Sequence, residues 1–113
     1  MSLEAVQVRS KKARPKRQEK EKIYQMPPYH VILLNDDDHT YHYVIRMLGE
    51  LFGHNPTKAF QMAEEVDKKG RAIVDTTTKE RAELKQEQIH AFGADPLSEH
   101  SQGSMSAIIE PAE

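Results

Sequence analysis

The sequence predicts an α+β fold. It is a small α/β sandwich of strand-helix-helix-strand-helix-strand order, with a three-stranded antiparallel sheet covered by helices on one face. Two observations lead there. Short apolar runs rich in β-branched residues alternate with stretches whose apolar residues recur at helical spacing. Few of the turns between strands are short enough for hairpins, which favours strands joined through helices.

The first strand is Tyr29-His30-Val31-Ile32-Leu33-Leu34, nearly continuous in apolar character and preceded by Pro27-Pro28, an extended entry. Asn35-Asp36-Asp37-Asp38-His39-Thr40 breaks it, because Asn and Asp side chains bond nearby backbone amides and favour turns. Thr40 is a candidate N-cap for a helix carrying Val44, Ile45, Leu48, Leu51 and Phe52, and Gly53 supplies its stop. Asn55-Pro56 starts a second helix, an N-cap followed by proline at the first helical position. Its stripe is Ala59, Phe60, Ala63 and Val66 with Met62 beside it, and Gly70 ends it. Arg71-Ala72-Ile73-Val74 is a short strand. Thr77 and Glu80 stand at capping-box spacing before a third helix with a thin stripe of Ala82, Leu84, Ile89 and Phe92, ending at Gly93. A polar loop over 94–103 leads to a last strand at 104–109, and Pro111 is expected to prevent its extension.

Length and charge set the boundaries. A chain of 113 residues suits one domain. Its hydrophobic share of 37% is below the globular average, so part of it is expected to stay outside the core. Residues 1–26 are the natural candidate, a disordered basic arm ahead of a core domain over 27–113. Residues 1–28 hold eight basic and three acidic residues, a surplus of five positive charges in a chain whose total is −2. Such an arm can suggest nucleic acid or an acidic membrane. It has no aromatic residue before Tyr24, so it offers no stacking platform, and a solvated arm is the plainer reading. No run reaches the length of a membrane span and no signal peptide opens the chain. The expectation is a cytoplasmic protein with neither nucleic acid nor membrane as partner.

Several chemistries are excluded or poorly supported. The absence of cysteine removes disulfides, Cys-ligated zinc and thiol nucleophiles. There is no G-x-S-x-G elbow, and the five glycines are too scattered for a phosphate loop. The densest polar cluster is Asp36-Asp37-Asp38-His39 with His42. It has three readings: a divalent-metal site, an acidic turn capping the next helix, or a set of acceptors for an ammonium group. No fixed metal-ligand spacing accompanies it, so neither metal nor cofactor is expected, and no enzyme.

At this turn the sequence resembles the ClpS family of ATP-dependent Clp protease adaptors. The likeness rests on Tyr29 to Asp37 with its strand-plus-Asn-Asp signature, then Val44-Ile45 and Leu51-Phe52. It continues through Ala59, Gly70-Arg71-Ala72-Ile73, Lys79 to Glu83, Lys85 and Ile109-Glu110. It covers about residues 28–92 and 104–111, and the co-linear set rather than any one motif makes it specific. The resemblance implies a non-catalytic adaptor with a fold like the C-terminal domain of the ribosomal stalk protein. Such an adaptor binds N-degrons, substrates whose first residue is bulky and hydrophobic. It docks on the N-terminal domain of a ClpA or ClpC unfoldase, and its N-terminal arm assists delivery.

Residue by residue, the resemblance makes Asn35 and Asp36 acceptors for the substrate α-amino group, and Val44, Val66 and Met105 walls of the pocket. Glu80 and Lys85 match positions facing the unfoldase and are expected on the exposed side of their helix. The departures are as informative. Asp67 stands where the family has a histidine gripping the α-amino group, and Tyr41 and Ala63 stand where it has pocket methionines. His39 and Thr40 replace the turn's threonine and proline. Asn35, Asp36 and Asp67 are thus expected around an α-amino group, with Tyr41, Val44, Ala63, Val66 and Met105 around the first side chain. The alternative is a divergent module in which Tyr41 blocks the mouth, and which modulates the unfoldase without reading N-degrons.

Overall fold

A computed structural model describes residues 26–36, 38–99 and 101–112. The arm expected over residues 1–26 lies, Met26 apart, outside the described residues. The order is β1 (Tyr29–Leu34), α1 (Tyr41–Phe52), α2 (Pro56–Lys69), β2 (Arg71–Thr77), α3 (Lys79–His90) and β3 (Ser106–Pro111). The three strands form one antiparallel sheet in the order β2-β1-β3, so the first strand in sequence is the central one. Helices cover one face. α1 packs on α2, α2 on β2, and α3 on β3 and β1.

The helix boundaries follow local chemistry. The Thr40 side chain accepts from the Tyr43 amide, and the Asn55 side chain from the Lys58 amide with Pro56 next to it. Gly53 and Gly70 close α1 and α2 at φ of 74° and 86°, in the left-handed region where a Cβ is penalised. The third cap is displaced by one residue from the expected capping box. Thr78, not Thr77, is the N-cap and accepts from the Arg81 amide. Thr77 belongs to β2, where it pairs with Tyr29. The pull of the central strand thus extends β2 three residues beyond its apolar run.

Strand β2 reaches that length through an irregularity. Its register against β1 shifts between Val31 and Ile32, leaving Val74 as the extra residue. The Val74 carbonyl is taken up by His54 Nε2 at 2.7 Å, and His54 stacks on Phe52. Strand β3 also differs from expectation. It runs from Ser106 through Pro111, which pairs with Tyr29. Proline is tolerated because β3 lies at the sheet edge, where a missing amide donor leaves no ladder bond unmade.

The core lies between sheet and helices. Val31, Leu33, Ala72, Val74 and Ala107 meet Tyr43, Val44, Met47, Leu48, Ala59, Ala63, Val66, Ala82, Ile89 and Met105. Two residues of the expected stripes turn outward: Phe60 is 45% exposed and Leu84 46%. Tyr43 and Met47 are buried in their stead, each one residue off the stripe read from the sequence. The other sheet face sets Ile32 between Ile73 and Ile108, with the Arg71–Glu110 ion pair (3.1 Å) joining the two outer strands diagonally across β1.

Lys85 corrects an expectation. It is buried, not solvated, and its ammonium donates to the Leu51 carbonyl and lies 5.4 Å from the centre of the Phe52 ring. Leu51 is among the last residues of α1, whose final carbonyls lack partners within the helix. A cation there answers both the unmet acceptor and the helix dipole. Glu80, one turn earlier on α3, is exposed as expected.

Candidate functional site

Strand β1 ends at Leu34, and the next residue, Asn35, is anchored by its amide to the Gly70 carbonyl at 3.1 Å. That bond ties the end of the central strand to the turn between α2 and β2. Beside it lies a cavity of about 120 Å³ lined by Asn35, His39, Tyr41, Val44, Ala63, Val66, Asp67 and Met105. One side is α1 with Tyr41 and Val44, the other is α2 with Ala63, Val66 and Asp67, and Met105 closes it just ahead of β3. Ala63, Val66 and Asp67 are three and four positions apart, so they share one helix face. The side chains of Val44, Ala63, Val66 and Met105 are buried, making an apolar interior beneath a polar rim. For scale, an engineered apolar cavity of about 150 Å³ accepts benzene. This one has the dimensions of a single medium-sized side chain.

Seven of the eight residues expected around a bound N-terminus therefore line one cavity. The eighth, Asp36, does not. Its Oδ1 turns back on its own turn, accepting from the Asp38 amide at 3.0 Å and lying 2.9 Å from His39 Nδ1. His39 in turn reaches the Gly103 carbonyl through Nε2 at 2.7 Å. Asp36 thus contacts a lining residue of the cavity, His39, whose side chain is only 3% exposed. Of the three polar residues expected near an amine, Asn35 and Asp67 line the cavity.

Asp67 is engaged across the mouth. The Tyr41 hydroxyl donates to its Oδ2 at 2.9 Å, joining the start of α1 to the end of α2. Behind that hydroxyl, the Tyr41 ring sits 5.5 Å from the Phe60 ring at a tilt of 55°. The hydrogen bond to Asp67 holds the Tyr41 phenol above its ordinary value.

Two participants were not among the residues expected around a bound N-terminus. His39 is a cavity wall, and Asp95, in the segment read as a polar loop, is 2% exposed. Asp95 accepts from the Thr40 amide at 2.6 Å and the Leu97 amide at 2.9 Å, while its own amide donates to Ser101 Oγ at 2.8 Å. Burial alone would raise its carboxyl pKa. The bonds from the Thr40 and Leu97 amides, with His39 nearby, outweigh that and hold it below the ordinary value. The late loop is pinned by these bonds and by Tyr43, whose hydroxyl donates to the Gly93 carbonyl. Burial pushes that phenol up.

Ser101 Oγ lies 3.2 Å from His39 Nε2, so Ser101, His39 and Asp36 follow one another in the order of a nucleophile, a base and its orienter. The protons rule out that chemistry. Nε2 faces the Gly103 carbonyl and must carry hydrogen to bond it, so it cannot accept the serine proton. The Ser101 hydroxyl also donates to Gly103 and accepts from Asp95. The trio is a structural clamp. Among the described residues, no group of three His, Asp or Glu side chains is placed to hold a metal ion.

Comparison with known proteins supplies the context. The family model for the ATP-dependent Clp protease adaptor protein ClpS matches residues 24–98. The chain belongs to the ClpS family. Among its relatives are ATP-dependent Clp protease adapter proteins ClpS of Roseobacter denitrificans and of Ruegeria sp. The first is 40% identical over 65% of this chain and 65% of its own length. The second is 42% identical over 58% of each. A Vibrio cholerae ClpS is 40% identical over 66% of this chain and 72% of its own. The matched region thus spans about three-fifths of the first two relatives. Among solved structures, Agrobacterium tumefaciens ClpS2 bound to L-phenylalaninamide superposes with a TM-score of 0.65 at 22% identity, covering 76% of this chain and 98% of that one. The ClpS fold is therefore shared. No helix among the described residues is long and apolar enough to cross a membrane.

Proposed function

We propose that this ClpS-family chain is a substrate adaptor rather than an enzyme. It takes the first residue of an N-degron into the cavity between α1 and α2 and delivers the substrate to a ClpA- or ClpC-type unfoldase. The observation that carries the reading is the union of an apolar interior, sized for one side chain, with acceptors at its rim. The first side chain enters against Val44, Ala63, Val66 and Met105. The α-ammonium, with three hydrogens to donate, stays at the rim and bonds Asn35 and Asp67. The ClpS2 from Agrobacterium tumefaciens, solved with L-phenylalaninamide, supports the reading because that ligand is an amino-acid amide with a free amine and a bulky apolar side chain. Docking uses the exposed side of α3, where Glu80 lies one turn from the half-exposed Leu84. The buried Lys85 supports that face from within.

Peptides with Phe, Leu, Trp or Ala in first place, with free or acetylated amines, test this by fluorescence anisotropy. Acetylation removes the charge and donors and strands the rim acceptors. It should cost about 1.5–3 kcal/mol, roughly tenfold to a hundredfold in affinity. Equal affinity for free and acetylated peptides would eliminate the site. One observation favours a second reading: the Tyr41–Asp67 bond already occupies a rim acceptor. In that reading the chain docks on the unfoldase and modulates it without reading N-degrons. Absence of binding to every bulky first residue, with the unfoldase domain still bound, would select it.

A further inference from the structure

We propose that Tyr41 and Asp67 form a latch across the cavity mouth, and that binding proceeds by exchanging the Tyr41 hydroxyl on Asp67 for the ammonium of the incoming peptide. The proposal rests on the reading of the cavity as a site for a peptide's first residue, and adds the device that regulates access to it. Three facts meet at this point. The two side chains come from different helices, so their bond spans the opening rather than decorating one wall. Both residues line the cavity itself. The phenol ring also contacts Phe60, an aromatic residue left 45% exposed.

The chemistry of the exchange is asymmetric. A phenol donates one hydrogen bond as a neutral group. The phenol's bond to the Asp67 carboxylate is already charge-assisted on the acceptor side, but an α-ammonium adds the attraction of opposite charges and two further donors. A charged N-terminus can therefore replace the phenol on Asp67 with a net gain. An acetylated N-terminus or an internal segment of a chain has no such donor. The latch adds discrimination against uncharged ends, because opening it goes uncompensated for them. A free-standing carboxylate at the rim would attract an ammonium equally but would not disfavour the wrong ligand.

The Tyr41→Phe variant removes the donor and keeps the ring against Phe60. Free-amine peptides should then bind about threefold to tenfold tighter, the net worth of one hydrogen bond. In an Asp67→Asn background the same change should have a much smaller effect, since the two residues act as a pair. A readout independent of peptide comes from the Tyr41 ring carbon bearing the hydroxyl, followed by NMR through alkaline pH in the free protein. Tyr41 should titrate at higher pH in wild type than in Asp67→Asn. Identical titration in the two would show that no latch exists and overturn the proposal. A shifted titration, with Tyr41→Phe leaving free-amine affinity unchanged, would overturn the exchange step while the adaptor reading stands. Failure of wild type and Tyr41→Phe alike to bind any peptide would remove the adaptor reading and the latch's role with it.

Discussion

Replacing Lys85 by methionine removes the ammonium and leaves an apolar chain of similar length in its place. In the native protein that ammonium is the partner of the Leu51 carbonyl at the end of α1 and lies over the Phe52 ring. Its loss removes a hydrogen bond from a charged donor, worth about 1.5–3 kcal/mol. The cation–π contact adds roughly 0.5–2 kcal/mol at a partly desolvated site. These contributions share one atom and do not add in full, so about 2 kcal/mol is the expected loss. In a domain of this size that lowers the thermal midpoint by roughly 8–16 °C. Urea unfolding followed by circular dichroism measures it, with Glu80→Lys as the exposed control expected to change stability by less than about 0.5 kcal/mol. A Lys85→Met protein within about 0.5 kcal/mol of wild type would refute the reasoning and return Lys85 to the status of a solvated charge. The result also governs how docking is tested. Reversing Glu80 and Lys85 together would confound lost affinity with lost stability, so Glu80 is the residue to reverse alone.

Further outcomes follow from the caps and the late loop. Thr78→Ala should cost about 1 kcal/mol in chemical denaturation. Thr77→Ala should leave the N-cap of α3 intact, and the reverse ranking would restore the expected capping box. Asp95→Ala strips the Thr40 and Leu97 amides of their acceptor and should cost about 1–3 kcal/mol at neutral pH. Because the folded carboxyl titrates below its unfolded value, its stabilisation is fully present above that unfolded value, near pH 4, and fades as pH falls through the folded one. The stability gap between wild type and Asp95→Ala should narrow under acid, and a gap that widens would refute the assignment. Relaxed protection of the amides of residues 93–105 in Asp95→Ala, with β1 unaffected in hydrogen exchange, is the matching local signature.

Most of the architecture was legible because it is written in local chemistry. Asn55-Pro56, Thr40, Gly53 and Gly70 act through bonds only a few residues long, and the sequence displays both ends of each. The cavity was legible for a different reason: resemblance supplied residues that no periodicity would have grouped. What escaped detection depends on contacts between distant segments. Lys85 looks like any surface lysine until α1 places a carbonyl against it. Asp95 and Ser101 sit in a polar stretch without pattern, and their partners Thr40 and His39 lie more than fifty residues away. Asp36 lies off the cavity lining, since a turn Asp can serve its own backbone as readily as a ligand. Phe60 and Leu84 look like stripe residues by spacing alone, and the width of the packed face turned them outward.

The central position of β1 has a consequence for how this cavity can change over time. Asn35 follows directly from the one strand paired on both edges, so its end of the cavity is mounted on the most heavily cross-braced part of the sheet. Met105, across the cavity, arrives on a connection stitched down by side chains: Asp95, Ser101, Tyr43 and His39. Such stitching can be rewritten one residue at a time without disturbing a strand pairing. The Asn35 end of the cavity is therefore its fixed reference, and the Met105 wall is free to drift. Lineages sharing this fold can reshape the Met105 wall while leaving the Asn35 end of the cavity as it is.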